Sequence, residues 1–193
     1  MHFLLSSILE IFQSTKNSAA QRVAEKISRV PDHGFTERFA PEPVLKHLSA
    51  TLFLPGAHTF TADINAVAVH LPWGKLAAHP PSGVTAPGRT FCQIIGPEGL
   101  IKDDGFRMGV YFQAPNVFYP SHWHKAEEVY FVLSGTALWQ KDKGRFSEQG
   151  PKTLIHHQPS QPHAMRTQKE PLLALWAWVG DIGFESYEIE KQG

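Results

Sequence analysis

Residues 121–130 read Ser-His-Trp-His-Lys-Ala-Glu-Glu-Val-Tyr, and they place two imidazoles, a carboxylate and a phenol at alternating positions. Side chains that alternate along a strand point to one face, so His122 and His124 present their rings to the same side. With a turn over residues 125–127, Glu128 and Tyr130 share a face of the next strand in the same way. His163 follows after a break in the pattern. Two imidazoles and a carboxylate converging from adjacent strands, with an outlying imidazole, make a donor set for one divalent transition metal. Zn, Fe(II), Mn, Co and Ni all accept these ligands, so spacing does not choose among them.

Eleven histidines in 193 residues also form pairs by chance, and a lone H-x-H is more often surface or core histidine than a ligand pair. What separates this segment from chance is a carboxylate following at strand parity, inside strand-like sequence on both sides. Glu127 competes with Glu128 for the ligand role, but parity favours Glu128. A tyrosine in a strand is usually packing; next to a carboxylate on the ligand face, Tyr130 is less readily explained that way.

Such residues need a rigid sheet to hold them. From residue 89 onward, short apolar runs alternate with Gly/Pro punctuation: 90–95, 108–113, 128–133, 136–140, 152–156, 163–167, 172–179 and 186–189. Many short strands at this spacing predict an antiparallel sandwich or barrel, with room for a site in its mouth. Before residue 89 the texture is helical. Leu4, Leu5, Ile8, Leu9 and Phe12 keep a helical period, and Ala20, Val23, Ala24, Ile27 and Val30 resume it after a polar break. Pro31-Asp32-His33-Gly34 should end that part, and residues 43–52 predict a third short helix. Residues 62–71 could also be helical, while Pro72, Pro80, Pro81 and Pro87 confine any regular element. The expectation is a mainly β protein: a helical extension over residues 1–88 packed on a β-barrel over residues 89–193.

Composition removes several functions. Lys+Arg and Asp+Glu are both 18, so nothing recommends nucleic acid as a partner. No apolar run is long enough to span a bilayer. The apolar start is interrupted by Glu10 and lacks a preceding Lys or Arg, unlike a secretory signal, which leaves a cytoplasmic location expected. The single cysteine, Cys92, cannot form an internal disulfide. A small molecule is the expected substrate.

The pattern His122-x-His124-x3-Glu128-x6-Gly135 resembles the first motif of the cupins, whose fold is a double-stranded β-helix or jelly-roll barrel. Pro159-Ser160-Gln161-Pro162-His163 resembles their second motif, with Gln161 where a glycine is usual and Thr167 where an asparagine is usual. His156 and His157 therefore remain alternatives to His163. More narrowly, residues 119–135, with their H-x-H-x-A-E-E-x-Y core, look like the metal-binding segment of the cupin-type dimethylsulfoniopropionate (DMSP) lyases. Leu175-Trp176-Ala177-Trp178-Val179-Gly180 extends the likeness.

That resemblance implies β-elimination of DMSP to dimethyl sulfide and acrylate. It implies a metal held by His122, His124, Glu128 and His163, with Tyr130 as general base. Tyr119 and Trp178 would bind substrate, since a sulfonium has no hydrogen-bond donor and favours aromatic faces. Trp176 shares parity with Trp178, so alternation cannot separate them, and Trp123 alternates away from the two imidazoles. Cupins frequently pair, which makes a homodimer the expected self-association. Two other readings remain: an Fe(II) cupin dioxygenase acting on a thiol or small acid, and a non-catalytic small-molecule-binding cupin. No role is apparent for Cys92, Arg107 or Lys125.

Overall fold

Two antiparallel five-stranded sheets face each other and form the barrel. The computed structural model describes residues 2–30, 36–75 and 86–190; the expected stop at 31–34 and the prolines at 80 and 81 lie outside the described residues. Helices α1 (His2–Gln13), α2 (Ser18–Ser28) and α3 (Phe60–Val67) precede the strands. The strands are β1 (Arg89–Ile95), β2 (Phe106–Gln113), β3 (Phe118–Trp123), β4 (Ala126–Ser134) and β5 (Ala137–Lys141). There follow β6 (Ser147–Gln149), β7 (Leu154–His157), β8 (His163–Thr167), β9 (Leu172–Gly180) and β10 (Glu188–Ile189). One sheet runs β1-β2-β9-β4-β7 and the other β10-β3-β8-β5-β6. This is the double-stranded β-helix with N-terminal helices that the sequence predicts. Among the described residues, no helix is long and apolar enough to cross a membrane.

The first sheet is covered on both sides. Val129, Phe131 and Leu133 point outward with Leu173, Leu175 and Ala177, and they share a core with Ile8, Phe12, Val23 and Ile27 of the helices. Tyr130, Val132, Trp176 and Trp178 point inward to a second core with Tyr119, Trp139 and Met165 of the opposing sheet. Burial on both faces explains why β9 reads Leu-Leu-Ala-Leu-Trp-Ala-Trp-Val with no polar alternation. Cys92 lies in the outer core, where burial pushes its thiol up to about 12 and leaves it unreactive.

The helix expected at 43–52 is instead a run of 3-10 turns over Pro43–Phe53. Only Leu48 and Thr51 of it are buried, three apart as 3-10 geometry requires, and Thr51 Oγ1 bonds back to Leu48 O at 2.6 Å. The helical pattern at 62–71 is α3 followed by 3-10 turns over Ala68–His70. Gly135, which closes the motif, has φ 79°, and a Cβ there would stand 1.8 Å from Pro171 O. Only glycine suits that contact.

Helix α2 is tied to the barrel from outside. Its N-cap Asn17 accepts from Ala20 N at 3.0 Å and bonds His156 Nδ1 at 3.1 Å. His156 Nε2 meets Glu127 Oε1 at 2.8 Å, and Arg22 of α2 pairs with the other oxygen of Glu127. Asn17→Ala removes both the cap and the link. It should lower the unfolding free energy by about 1–2 kcal/mol, read from urea denaturation; an unchanged midpoint would contradict this account.

Candidate metal centre and its aromatic cavity

Strand alternation divides two doublets between the faces of one sheet. β4 and β7 pair Glu128 with His157 and Val129 with His156. Glu128 and His157 therefore enter the barrel, while Glu127 and His156 face helix α2. The β4–β9 ladder sets Glu128 opposite Trp178 and Tyr130 opposite Trp176. From the other sheet, the β3–β8 register pairs His122 with His163. A register shift between Tyr119 and His122, where Pro120 donates no ladder bond, turns both rings inward. They stack with centroids 3.9 Å apart. His124 lies just beyond β3, and β4 begins at Ala126, so the turn ends two residues earlier than expected and Glu127 is already strand.

His124, Glu128 and His163 bring ligand atoms within 4.8 Å of one another, all buried. His122 is outside that trio by this measure, with its ring centroid 4.1 Å from His163. The three imidazoles are held alike. Nδ1 of His122, His124 and His163 donates to the carbonyls of Pro120 (2.8 Å), Ala126 (3.1 Å) and Gln161 (2.8 Å). Each ring thereby commits its Nδ1 proton outward and turns Nε2 inward. Nε2 of His124 is 3.3 Å from Glu128 Oε2. That of His163 is 3.1 Å away, yet it is buried without a properly oriented hydrogen bond. Acceptor nitrogens gathered around a carboxylate, one of them orphaned, fit a bound cation.

Burial works to raise the Glu128 pKa, but the charge and hydrogen-bond contributions of His124 and His163 overcome it and hold the carboxyl well below its usual range. Its other oxygen, Oε1, accepts from Trp178 Nε1 at 2.6 Å. Trp178, expected to face substrate, thus also orients the carboxylate. Burial, then the Glu128 charge, push the Tyr130 phenol well above 10. His156 faces outward, away from the group. His157 is inside and stacks on His163 at 3.9 Å, but its Nε2 accepts from Trp139 Nε1 at 3.1 Å.

Beside the cluster is a tight cavity, with about 10 Å³ open to the centre of a water-sized sphere. His122, His124, Glu128 and Tyr130 line one side, and Trp176 and Trp178 both contribute rings. Phe91, Phe184 and Tyr187 complete the wall. Tyr119 does not line it; its hydroxyl meets that of Tyr187 at 2.8 Å behind His122. Trp123 also lies elsewhere. The sequence reading missed Phe91, Phe184 and Tyr187, because no local spacing links them to the histidine motif.

A family model for dimethylsulfoniopropionate lyase matches residues 14–174. The chain belongs to the DMSP lyase family. It is 35% identical over 89 residues to dimethylsulfoniopropionate lyase DddQ of Ruegeria pomeroyi, covering 46% of this chain and 44% of that one. To the putative dimethylsulfoniopropionate lyase DddL of Cereibacter sphaeroides it is 29% identical over 144 residues, 72% of this chain and 60% of the other. The chain spans about half the length of the curated relatives it matches. A chain from the crystal structures of the DMSP lyases RdDddP and RnDddQII superposes with TM-score 0.73 at 22% identity, over 97% of this chain and 96% of that one. The shared fold covers helices and barrel together.

Burial lowers the His122 and His157 pKa well below 6.5. The folded metal-free protein holds both rings neutral, whereas the unfolded chain protonates them below about pH 6.5. There the unfolded state binds more protons, so stability falls as pH falls. Urea midpoints of metal-stripped protein should be flat from about pH 8 to 7. Below about pH 6.5 they should drop, by up to about 1.4 kcal/mol per pH unit for each ring. Midpoints that rise on acidification would refute neutral burial.

Proposed function

We propose that this protein is a metal-dependent carbon–sulfur lyase that splits DMSP into dimethyl sulfide and acrylate by β-elimination. One observation carries the reading: His124 and Glu128 of the buried His/Glu donor set line the same aromatic cavity as Tyr130. Membership of the DMSP lyase family supports the substrate.

Elimination poses two problems. The proton on the carbon beside the carboxylate is poorly acidic, and negative charge gathers there as it leaves. One divalent transition metal (Zn, Fe(II), Mn, Co or Ni) held by His122, His124, Glu128 and His163 would supply positive charge, polarising the substrate carboxylate and favouring the Tyr130 phenolate. The Nδ1–carbonyl bonds of His124 and His163 keep those imidazoles turned toward Glu128, and Trp178 keeps Glu128 from turning away. Tyr130 takes the proton, the electron pair forms the new carbon–carbon double bond, and the carbon–sulfur bond breaks. Dimethyl sulfide leaves as a neutral, weakly basic molecule, so no general acid is needed. The closed aromatic wall keeps water from the reacting carbon.

Tyr119 acts through its contacts. Stacked on His122 and bonded to Tyr187, it holds the ligand face and the cavity wall in register. The position of Tyr130, two residues from Glu128 and facing the same cavity, supports elimination over the oxygen-using and non-catalytic readings, in which a buried phenol has no task.

Purified, metal-loaded protein given DMSP should release dimethyl sulfide detectable in the headspace, with or without oxygen. Tyr130→Phe should lower kcat by about 10²–10⁴-fold with metal content by mass spectrometry near that of the parent. His124→Ala should lose both metal and activity. Gas release undiminished in Tyr130→Phe would remove Tyr130 from the base role.

A further inference from the structure

One wall of the cavity is made by chain that belongs to neither sheet. β9 ends at Gly180, whose φ of 87° turns the backbone off the first sheet. β10 begins at Glu188, paired with Trp123 on the edge of the second. Residues 181–187 therefore cross from sheet to sheet over the barrel mouth and carry Phe184 and Tyr187 onto the cavity. Of the nine residues lining the cavity, Phe184 alone is not buried. This is where the interior meets solvent.

Few contacts hold the crossing. Arg107 Nε donates to Ile182 O at 2.9 Å, and its guanidinium lies 4.4 Å from the centre of the Phe184 ring. The same side chain is fixed by Gln93 Oε1 at 2.8 Å and by Glu98. Lys125 N donates to Ser186 Oγ at 3.0 Å, and Tyr187 shares its hydroxyl bond with Tyr119. No strand ladder ties residues 181–187 to either sheet, so packing and these side-chain bonds hold the segment over the cavity.

The geometry points to residues 181–187 as a strap that selects the substrate: Phe184 sets the size of the onium group admitted, and Tyr187 faces that group. This rests on the elimination reading. With the substrate carboxylate directed to the His/Glu cluster, the opposite end of a short zwitterion is left facing the aromatic wall. Trp178, whose ring centre is 5.1 Å from that of Phe184, continues the wall. The two strap aromatics contribute differently. Arg107 already sets a cation against Phe184, so that ring offers shape and exclusion of water more than attraction for a second cation. Tyr187 and Trp178 supply the electron-rich faces. Arg107 and Glu98 are positioning residues that act through Phe184.

The test compares DMSP with its diethylsulfonium analogue on the parent, Phe184→Ala, Phe184→Leu and Tyr187→Phe, all metal-loaded. The parent should prefer the dimethyl substrate. Phe184→Ala should raise the diethyl-to-dimethyl ratio of kcat/KM by about 10-fold or more, since one methylene in an apolar pocket is worth roughly 10–200-fold. Phe184→Leu should give a smaller shift in the same direction, and it decides the matter if the alanine variant melts early. Tyr187→Phe keeps the ring but loses the Tyr119 bond; it should raise KM for both substrates and leave the ratio alone. A ratio unchanged in folded Phe184 variants, with dimethyl sulfide still released by the parent, overturns the strap and leaves the lyase reading standing. No gas from the parent with any of the five metals overturns both.

Discussion

A buried carboxylate cannot stand without matching positive charge, and Glu128 is the point from which this structure is organised. Transfer of an anion to a protein interior costs several kcal/mol unless it is paired and hydrogen-bonded. Trp178 satisfies one oxygen, and the imidazoles of His124 and His163 approach the other. The Nδ1 atoms of those rings are already committed to carbonyls of their own turns. What remains at the centre is a set of inward Nε2 atoms that must share extra protons or share a cation. The backbone carbonyls of Pro120, Ala126 and Gln161 thus do more than close turns. By fixing which nitrogen faces in, they leave the Nε2 atoms turned toward one another, as a ligand set would require.

The two-residue period of a strand puts that cluster and its scaffold on opposite sides of one layer. Glu127-Glu128 and His156-His157 are doublets whose members must part company at the sheet. Inside, Glu128 and His157 serve the barrel; outside, Glu127 and His156 serve Arg22 and Asn17 of helix α2. Helix docking and site formation therefore use adjacent residues of the same two strands. A one-residue slip of β4 against β7 would exchange the two sets and ruin both. The helices cover an apolar sheet face and, through this network, also favour the register that keeps Glu128 inside.

Much of this was legible in the sequence, and what was missed has definite causes. H-x-H-x3-E-x-Y is readable because its side chains on neighbouring strands are close in sequence and obey parity. The glycine seven residues past Glu128 is readable because a backbone at φ 79° against Pro171 O excludes a side chain. Helical period marked α1 and α2 because each buries a single stripe. Residues 43–53 carry the same apolar spacing but bury only Leu48 and Thr51, too little to distinguish an α-helix from 3-10 turns. Parity alone would have sent Tyr119 and His122 to opposite faces; the irregularity at Pro120 brings them together. Phe184 and Tyr187 were invisible for another reason. A strap from the far end of the chain delivers them, and no periodicity encodes such a meeting. Trp178 was legible as an inward aromatic, but not as a hydrogen-bond donor to Glu128, because pairing across β4 and β9 depends on long-range register.

The same burial that makes Tyr130 a poor base in isolation is what would make it an effective one. Desolvation raises its phenol, and the Glu128 charge raises it further, so the side chain stays protonated as long as the carboxylate is the dominant nearby charge. Low dielectric amplifies every charge at short range, whichever its sign. Positive charge at the imidazole cluster would therefore act on Tyr130 with the leverage that Glu128 now exerts against it. A solvent-exposed tyrosine at the same distance would feel little of either. On the proposed elimination, closure by aromatic walls and residues 181–187 would be part of the chemistry and not only a means of holding substrate: it would let one buried charge govern the acidity of the base and the stability of the departing proton's electron pair together.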